Sequence, residues 1–263
     1  MKSITSIICI TASGTLSLGL INPNLAQAAS VTLTVKGTDA IYLAGRDDVV
    51  VPPANQPFNV LGRHSGNTPE ELQETFPPSI AVSGGQKFTF SATGCVDYFN
   101  GFGCPSQGYG PDGNGVSGSN LFSLAGISGY IGPEGPLAGV FLTDNNPVGS
   151  LPPSTLNFTP SALGKNFVSL SPEIGQVFFI GDGVTSNNKA QTFIAPTGAT
   201  RLFLGIPDGF GFDGAPGAYD DNDGAFVVNV TSVPEPLTIL GSATALGVGA
   251  LLKREQTRSK KKN

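Results

Sequence analysis

Apolar and polar positions along this chain alternate over short distances. The clearest case is the run AFVVNV, in which Phe226, Val228 and Val230 fall on one face and Val227 and Asn229 on the other. That is the period of two of a half-buried β-strand. Similar β-branched and aromatic runs, each bounded by Gly, Pro, Asn or Asp, predict strands at residues 31–35, 41–43, 87–91, 138–142, 176–180, 191–194, 201–205 and 225–230. No stretch between the two ends sustains a helical apolar period. Many short strands without a long helix predict an all-β fold, a sandwich or a barrel. Two segments break the rhythm and are expected to be long Gly/Pro-rich loops, residues 47–78 and residues 99–118. Within the first, PEELQE at 69–74 predicts a short helix. Loops of this length are more often functional or mobile than incidental.

The ends follow other patterns. Lys2 precedes a run of apolar and small residues, then Pro23, then Ala26-Gln27-Ala28. The small-x-small triplet after an apolar run predicts a signal peptide over residues 1–29, cleaved after Ala28 or Ala29. At the other end come a stiff Val233-Pro234-Glu235-Pro236, an uncharged apolar run from Leu237 to Leu252, and a basic tail with Lys253, Arg254, Arg258, Lys260, Lys261 and Lys262. As a helix rising about 1.5 Å per residue, the apolar run spans roughly 24 Å, a little short of a bilayer core. The basic tail would stay cytoplasmic and leave the rest of the chain outside. This order of parts resembles the PEP-CTERM sorting signal of exported bacterial proteins. The resemblance implies an exosortase-type membrane protease as partner, removal of residues 233–263 as a sorting signal, and delivery to the cell surface, outer envelope or extracellular matrix. A permanent single-pass anchor is the other reading of the same run.

What remains, residues 30–232, is enough for one substantial domain. Of the 263 residues 36 are Gly and 21 are Pro, a density that means many turns without reaching the range of disorder. Of 14 Lys and Arg and 19 Asp and Glu, seven cations but only Glu235 and Glu255 among the acids belong to the ends. The body therefore carries 7 cations and 17 acids, a net charge of −10. Nucleic acid and anionic membranes are poor partners for such a surface, and cations are good ones. Cys9 lies in the expected signal peptide, which leaves Cys95 and Cys104. In an exported chain the pair reads as a disulfide closing a Gly-rich loop, with two free thiols as the alternative.

No constellation for covalent or metal-assisted catalysis stands out. His64 is the single histidine, neither body cysteine has a base beside it, and no zinc spacing or nucleophile elbow occurs. The expectation is a protein that is not an enzyme, with a glycoside hydrolase built on a carboxylate pair as the less favoured alternative. The conspicuous stretch is PGAYDDNDGAF at residues 216–226, with Asp220, Asp221 and Asp223 around Asn222. Carboxylates, amides and carbonyls in a tight turn are what calcium takes as ligands. A solvated β-turn is the alternative, since Asp, Asn and Gly favour turns without any ligand. An EF-hand is excluded. With Gly224 at that loop's glycine, Tyr219 stands where its first Asp belongs and Val230 where its bidentate Glu belongs.

The order of strand, acidic loop and strand in LFLGIPDGFGFDGAPGAYDDNDGAFVVNV resembles the final hairpin of galactose-binding-like β-sandwiches, especially the small calcium-dependent galactose-specific bacterial lectins. Pro216-Gly217-Ala218-Tyr219 matches their turn, Asp221-Asn222 stands where they have an Asn pair, and Gly224-Ala225-Phe226 opens the last strand. The resemblance implies a jelly-roll-like β-sandwich with Ca²⁺ held by the side chains of Asp221 and Asn222 and the backbone carbonyl of Ala218. Asp208 becomes the strand-end carboxylate, with Asp213, in the inserted GFGFDGA, as its rival. Upstream, VSGGQKFTFSATG and GYGPDGNG are similar to further parts of those lectins, which places Tyr98 as another backbone ligand. The lectins' sugar-contacting His has no counterpart, because the spacing brings Val116 or Ser117 to its place. Galactose specificity is therefore not implied. Asn222 bridging metal and sugar, with Tyr109 or Phe212 stacking on a sugar face, is the expected carbohydrate site, and a cell-surface polysaccharide its partner. The alternative is a structural envelope or matrix component with no sugar ligand.

Overall fold

The computed structural model describes residues 28–50, 74–98, 104 and 108–233. Its strands are β1 (Ser30–Lys36), β2 (Ser79–Ala81), β3 (Lys87–Asp97), β4 (Asn114–Leu121), β5 (Tyr130–Glu134), β6 (Ala138–Leu142), β7 (Leu156–Asn157), β8 (Ser169–Leu170), β9 (Val177–Phe179), β10 (Thr192–Ile194), β11 (Arg201–Gly205), β12 (Asp213–Gly214) and β13 (Asp223–Val233). Short 3-10 turns at Ile41–Leu43, Phe210–Phe212 and Tyr219–Asp221 are the helical elements among the described residues, so the fold is all-β, as the alternation predicts.

Three sheets form, with strand orders β1-β13-β3-β10-β8, β2-β11-β6-β9 and β12-β4-β5-β7. The first strand and the last are neighbours. β13 lies antiparallel between β1 and β3, with Val35 opposite Phe226 and Leu33 opposite Val228 on one side, and Ala92 opposite Val228 on the other. Phe226, Val228 and Val230 point into the core, while Val227 and Asn229 are exposed. Where β3 meets β13 most closely, Gly94 has φ +116°, and a Cβ there would stand 2.3 Å from the Ala225 carbonyl oxygen. Only glycine fits that approach.

Aromatic rings join the layers. Phe88 on β3 meets Phe141 on β6 at 6.3 Å between centroids, and Phe193 on β10 meets Phe178 on β9 at 5.4 Å, so the first two sheets pack face to face. Phe158 contacts both Tyr130 on β5 and Phe179 on β9, each at 5.9 Å, and ties the third sheet to this core. The large apolar area these rings remove from water is the main stabilising contribution of the fold.

Some expectations are corrected. Residues 41–43 are a 3-10 turn with all three side chains fully buried, where a strand was expected. Ala44 N–H bonds back to the Ile41 carbonyl, and Gly45 follows at φ +67°. A continuous apolar triplet carries no period by which strand and turn can be told apart. Residues 114–118, expected in a loop, begin β4, whose pairing with β5 shifts register between Asn114 and Ser119. Gly115 and Gly118 take positive φ there, and their absent side chains hide the alternation. Glu74, the end of the predicted helix, is not helical; residues 69–73 and His64 lie outside the described residues, as do the signal peptide up to Gln27, the apolar run 237–252 and Pro234, Glu235 and Pro236. No helix among the described residues is long and apolar enough to cross a membrane.

Candidate cation site at the acidic hairpin

The segment between β11 and β13 closes on itself around one carboxylate. Asp208 follows β11 after Ile206 and Pro207 and is 3 % exposed. Its Oδ1 accepts from the Gly209 N–H at 2.7 Å, its Oδ2 accepts from Asn222 Nδ2 at 2.8 Å, and its carbonyl accepts from the Gly217 N–H at 3.1 Å. Tyr219 locks the same corner: its hydroxyl donates to the Ile206 carbonyl at 2.7 Å and accepts from the Asp208 N–H at 3.2 Å. Ala218 sits at φ 64°, ψ 31°, a left-handed conformation uncommon for a residue with a Cβ, and from it the chain enters the Tyr219–Asp221 turn. Asn222 caps that turn, its N–H on the Tyr219 carbonyl at 3.3 Å.

The Asn222 side chain is fully buried. Its amide nitrogen donates both protons, to Asp208 Oδ2 and to the Gly37 carbonyl at 3.0 Å. Two acceptors on that side fix which end of the amide faces them, because exchanging O and N would set oxygen against oxygen. The other end, Oδ1, has no hydrogen-bond partner. A buried acceptor left unmatched costs about 1–3 kcal/mol, so such an atom calls for an explanation.

The electrostatics run the same way. Burial pushes the Asp208 carboxyl well above the usual carboxylate range; the bonds from Asn222 and Gly209 oppose this, and the negative charges of Asp221 and Asp220 add to it. Burial also raises the phenols of Tyr42, Tyr98 and Tyr219, and in each the Asp208 charge raises them further. A buried carboxyl close to the charges of Asp221 and Asp220 gains from a cation that takes the place of its proton, and Asn222 Oδ1 adds an oxygen with an unused lone pair. A hard divalent cation, which takes carboxylate, amide and carbonyl oxygens together, fits this donor set. Among the described residues no three His, Cys, Asp or Glu side chains form a metal-holding group by themselves. Amide and main-chain oxygens would therefore have to complete any shell here.

The structure brings Asp208 and Asn222 into contact and places Ala218 and Asp221 on the same turn. Asp213 goes elsewhere: it is exposed on β12, paired in parallel with Asn120, whose Nδ2 donates to its carboxylate at 3.1 Å. Tyr98 is buried directly after β3, its hydroxyl donating to the Gly135 carbonyl at 2.5 Å. Phe212 is buried edge-on against Tyr98, at 5.5 Å between ring centroids. That corrects its expected role, since a ring packed into the core offers no face to a sugar. Tyr109 is partly buried, bonded through its main chain to Val96 and with its ring 5.5 Å from that of Tyr98. Cys95 and Cys104 form the expected disulfide. It lies behind the hairpin, where a Cβ on Gly224 would stand 3.1 Å from Cys104 Sγ.

Sequence reasoning missed Gly37, Tyr219 and Asp220. Asp220 is buried in the turn, whereas Asp221, its neighbour, is partly exposed. Nothing in the order Asp-Asp-Asn-Asp tells which carboxylate turns inward. No protein-family model matches the chain, and no curated protein matches it in sequence.

Proposed function

We propose that this protein is an exported, non-enzymatic carbohydrate-binding module of the cell surface or extracellular matrix, with Ca²⁺ held at the acidic hairpin. The observation that carries the reading is the unmatched, fully buried Asn222 Oδ1 beside the buried Asp208 carboxylate. Asp208, Asp221, Asn222 and the Ala218 carbonyl would hold the ion. Asp208 takes precedence over Asp213 because Asn222 is bonded to the former and Asn120 to the latter. When bound, the cation neutralises the carboxylates, ties β11 to the start of β13, and leaves coordination positions for sugar hydroxyls. The galactose-binding-like resemblance of the hairpin supports the carbohydrate half of the reading. The two terminal signals support export and handling by an exosortase-type protease, and the body's negative charge speaks against nucleic acid.

The test is thermal melting of the body, residues 30–232, during a calcium titration against a chelator baseline. The expected result is a rise in Tm that saturates with calcium in the wild type and is absent in Asp208→Asn and Asn222→Ala. A wild-type Tm indifferent to calcium rejects the site.

A further inference from the structure

β1 is the edge of its sheet, paired with β13 on one side and with no strand among the described residues on the other. One rung beyond each end of the strand, Gly37 N–H donates to the Gly224 carbonyl at 3.0 Å and Ser232 N–H to the Ala29 carbonyl at 2.8 Å. Main-chain groups in an antiparallel ladder alternate in direction, so the odd-numbered residues of β1 bond to β13 and the even-numbered ones aim outward. Lys36 is closed by the turn that follows: its N–H donates to Asp39 Oδ2 at 2.7 Å, and its carbonyl accepts from the Asp39 N–H at 3.0 Å. That leaves Ser30, Thr32 and Thr34, whose outward N–H and C=O groups meet no main-chain partner among the described residues.

Exposed edges are usually kept from pairing by proline, a bulge, an outward charge or short length. SVTLTVK has seven residues in unbroken register with β13, no proline, and its one charge at the far end. Beside it the sandwich is open. A groove of about 340 Å³ is bordered by β1 and by β2, the edge of the second sheet, with Val31, Ile80, Phe88 and Val230 in its walls and no charged residue lining it. Val31 lies on the core side of the sheet and is nevertheless 40 % exposed at this opening. In a body of net charge −10, this is an uncharged approach for a partner of the same sign.

The sequence of the edge matches itself. Ser30-Val31-Thr32-Leu33-Thr34 shows the same order of hydroxyl and aliphatic side chains in both directions, centred on Thr32. Two such strands related by a two-fold axis at Thr32 pair antiparallel, with Thr32 opposite Thr32 and Ser30 opposite Thr34, and use every outward N–H and C=O of the three residues. The same register sets Val31 against the partner's Leu33 on the core side, beside the groove, and hydroxyl against hydroxyl on the outer face. We infer that this protein forms a two-fold dimer by antiparallel pairing of β1 with β1 of a second copy, which joins the two five-stranded sheets into one. The inference is independent of the cation and carbohydrate readings. Such a dimer carries two copies of the acidic hairpin, an arrangement that favours a repeating ligand.

The experiment uses residues 28–235, which form one compact unit, as wild type, Thr32→Pro, Thr32→Lys, Thr32→Cys and Thr34→Cys. Proline removes an N–H that points away from β13, and lysine sets two like charges together at the axis, so both spare the β1–β13 ladder. Molecular mass by sedimentation over a dilution series is expected to show a wild-type dimer. Either substitution should weaken association by roughly tenfold or more while a cooperative melt is kept, because bonds at the axis are lost or like charges meet there. Under mild oxidation Thr32→Cys should cross-link into dimers. Thr34→Cys should not, since its two copies would lie about 13 Å or more apart, too far for a disulfide. A wild type that stays a single copy at every concentration, as it would if the edge served a foreign extended peptide, overturns the dimer. A dimer that both substitutions leave intact, or cross-linking as efficient at position 34 as at 32, overturns the pairing through Thr32.

Discussion

Asp208 accepts a hydrogen bond on each carboxylate oxygen, yet burial and the charges of Asp221 and Asp220 still hold its proton affinity well above normal. The consequence for stability has a definite sign. Without a cation the folded state keeps this proton at pH values where the unfolded chain has released it, so this contribution is greatest below the ordinary carboxylate range. It is lost as pH rises toward the folded-state value. Asp39, raised by burial against its bonds from Thr75 and Lys36, acts in the same direction. Chelated protein should therefore lose stability as pH rises above the ordinary carboxylate range, and Asp208→Asn should flatten that slope, as read by urea midpoints at a series of pH values. Calcium should restore the neutral-pH stability of the wild type alone. Asn222→Ala removes the donor to both Asp208 and Gly37 and should cost about 1–3 kcal/mol even in chelator.

At the scale of elements, the Cys95–Cys104 disulfide ties the segment ahead of Tyr109 to β3, directly opposite Ala225 on β13. It closes a loop of about ten residues, worth about 2–3 kcal/mol in the chain-entropy picture. Cys95→Ser with Cys104→Ser should lower the unfolding free energy by that amount, measured in urea. Hydrogen exchange should locate the loss at the paired main chains of Val96 and Tyr109. The same scale shows what the sequence could express. Residues 225–230 were legible because Phe226, Val228 and Val230 alternate with outward residues, and β6 and β11 because each is a compact run of large apolar side chains. β4 was not, since NGVSGSNL has two glycines and one large apolar residue near its start. It is held in place by its pairing with β5 and, from far along the chain, with β12. β7, β8 and β12 have two residues each, too few to show any period. At the hairpin, the resemblance pointed to Asp208 and Asn222, which lie in contact, and the inward turn of Phe212 was not legible, because a positive φ at both Gly211 and Phe212 redirects the chain.

At the largest scale, the first and last strands among the described residues pair with each other. β1 and β13 are about two hundred residues apart in sequence yet share seven paired positions, from Ser30 opposite Thr231 to Lys36 opposite Ala225. Contacts of such separation make folding slow, because a long loop must close before any of them forms. A body lacking residues 30–36 should expose the edge of β13 and the core around Phe226, and should bind a hydrophobic dye and lose its cooperative melt. Retention of a wild-type Tm would show that β1 is dispensable. The pairing extends to Ala29, whose N–H and carbonyl both bond to the Ser232 hydroxyl, while the Ser232 N–H donates to the Ala29 carbonyl at 2.8 Å. The two chain ends of the body thus leave it side by side, from the same end of one antiparallel pair. Tension applied between them would load these bonds one rung at a time, as in opening a zipper, and would not shear all rungs together. A body tethered through both ends would be mechanically soft and peel from β1 inward, whereas held by one end it would bear no such load.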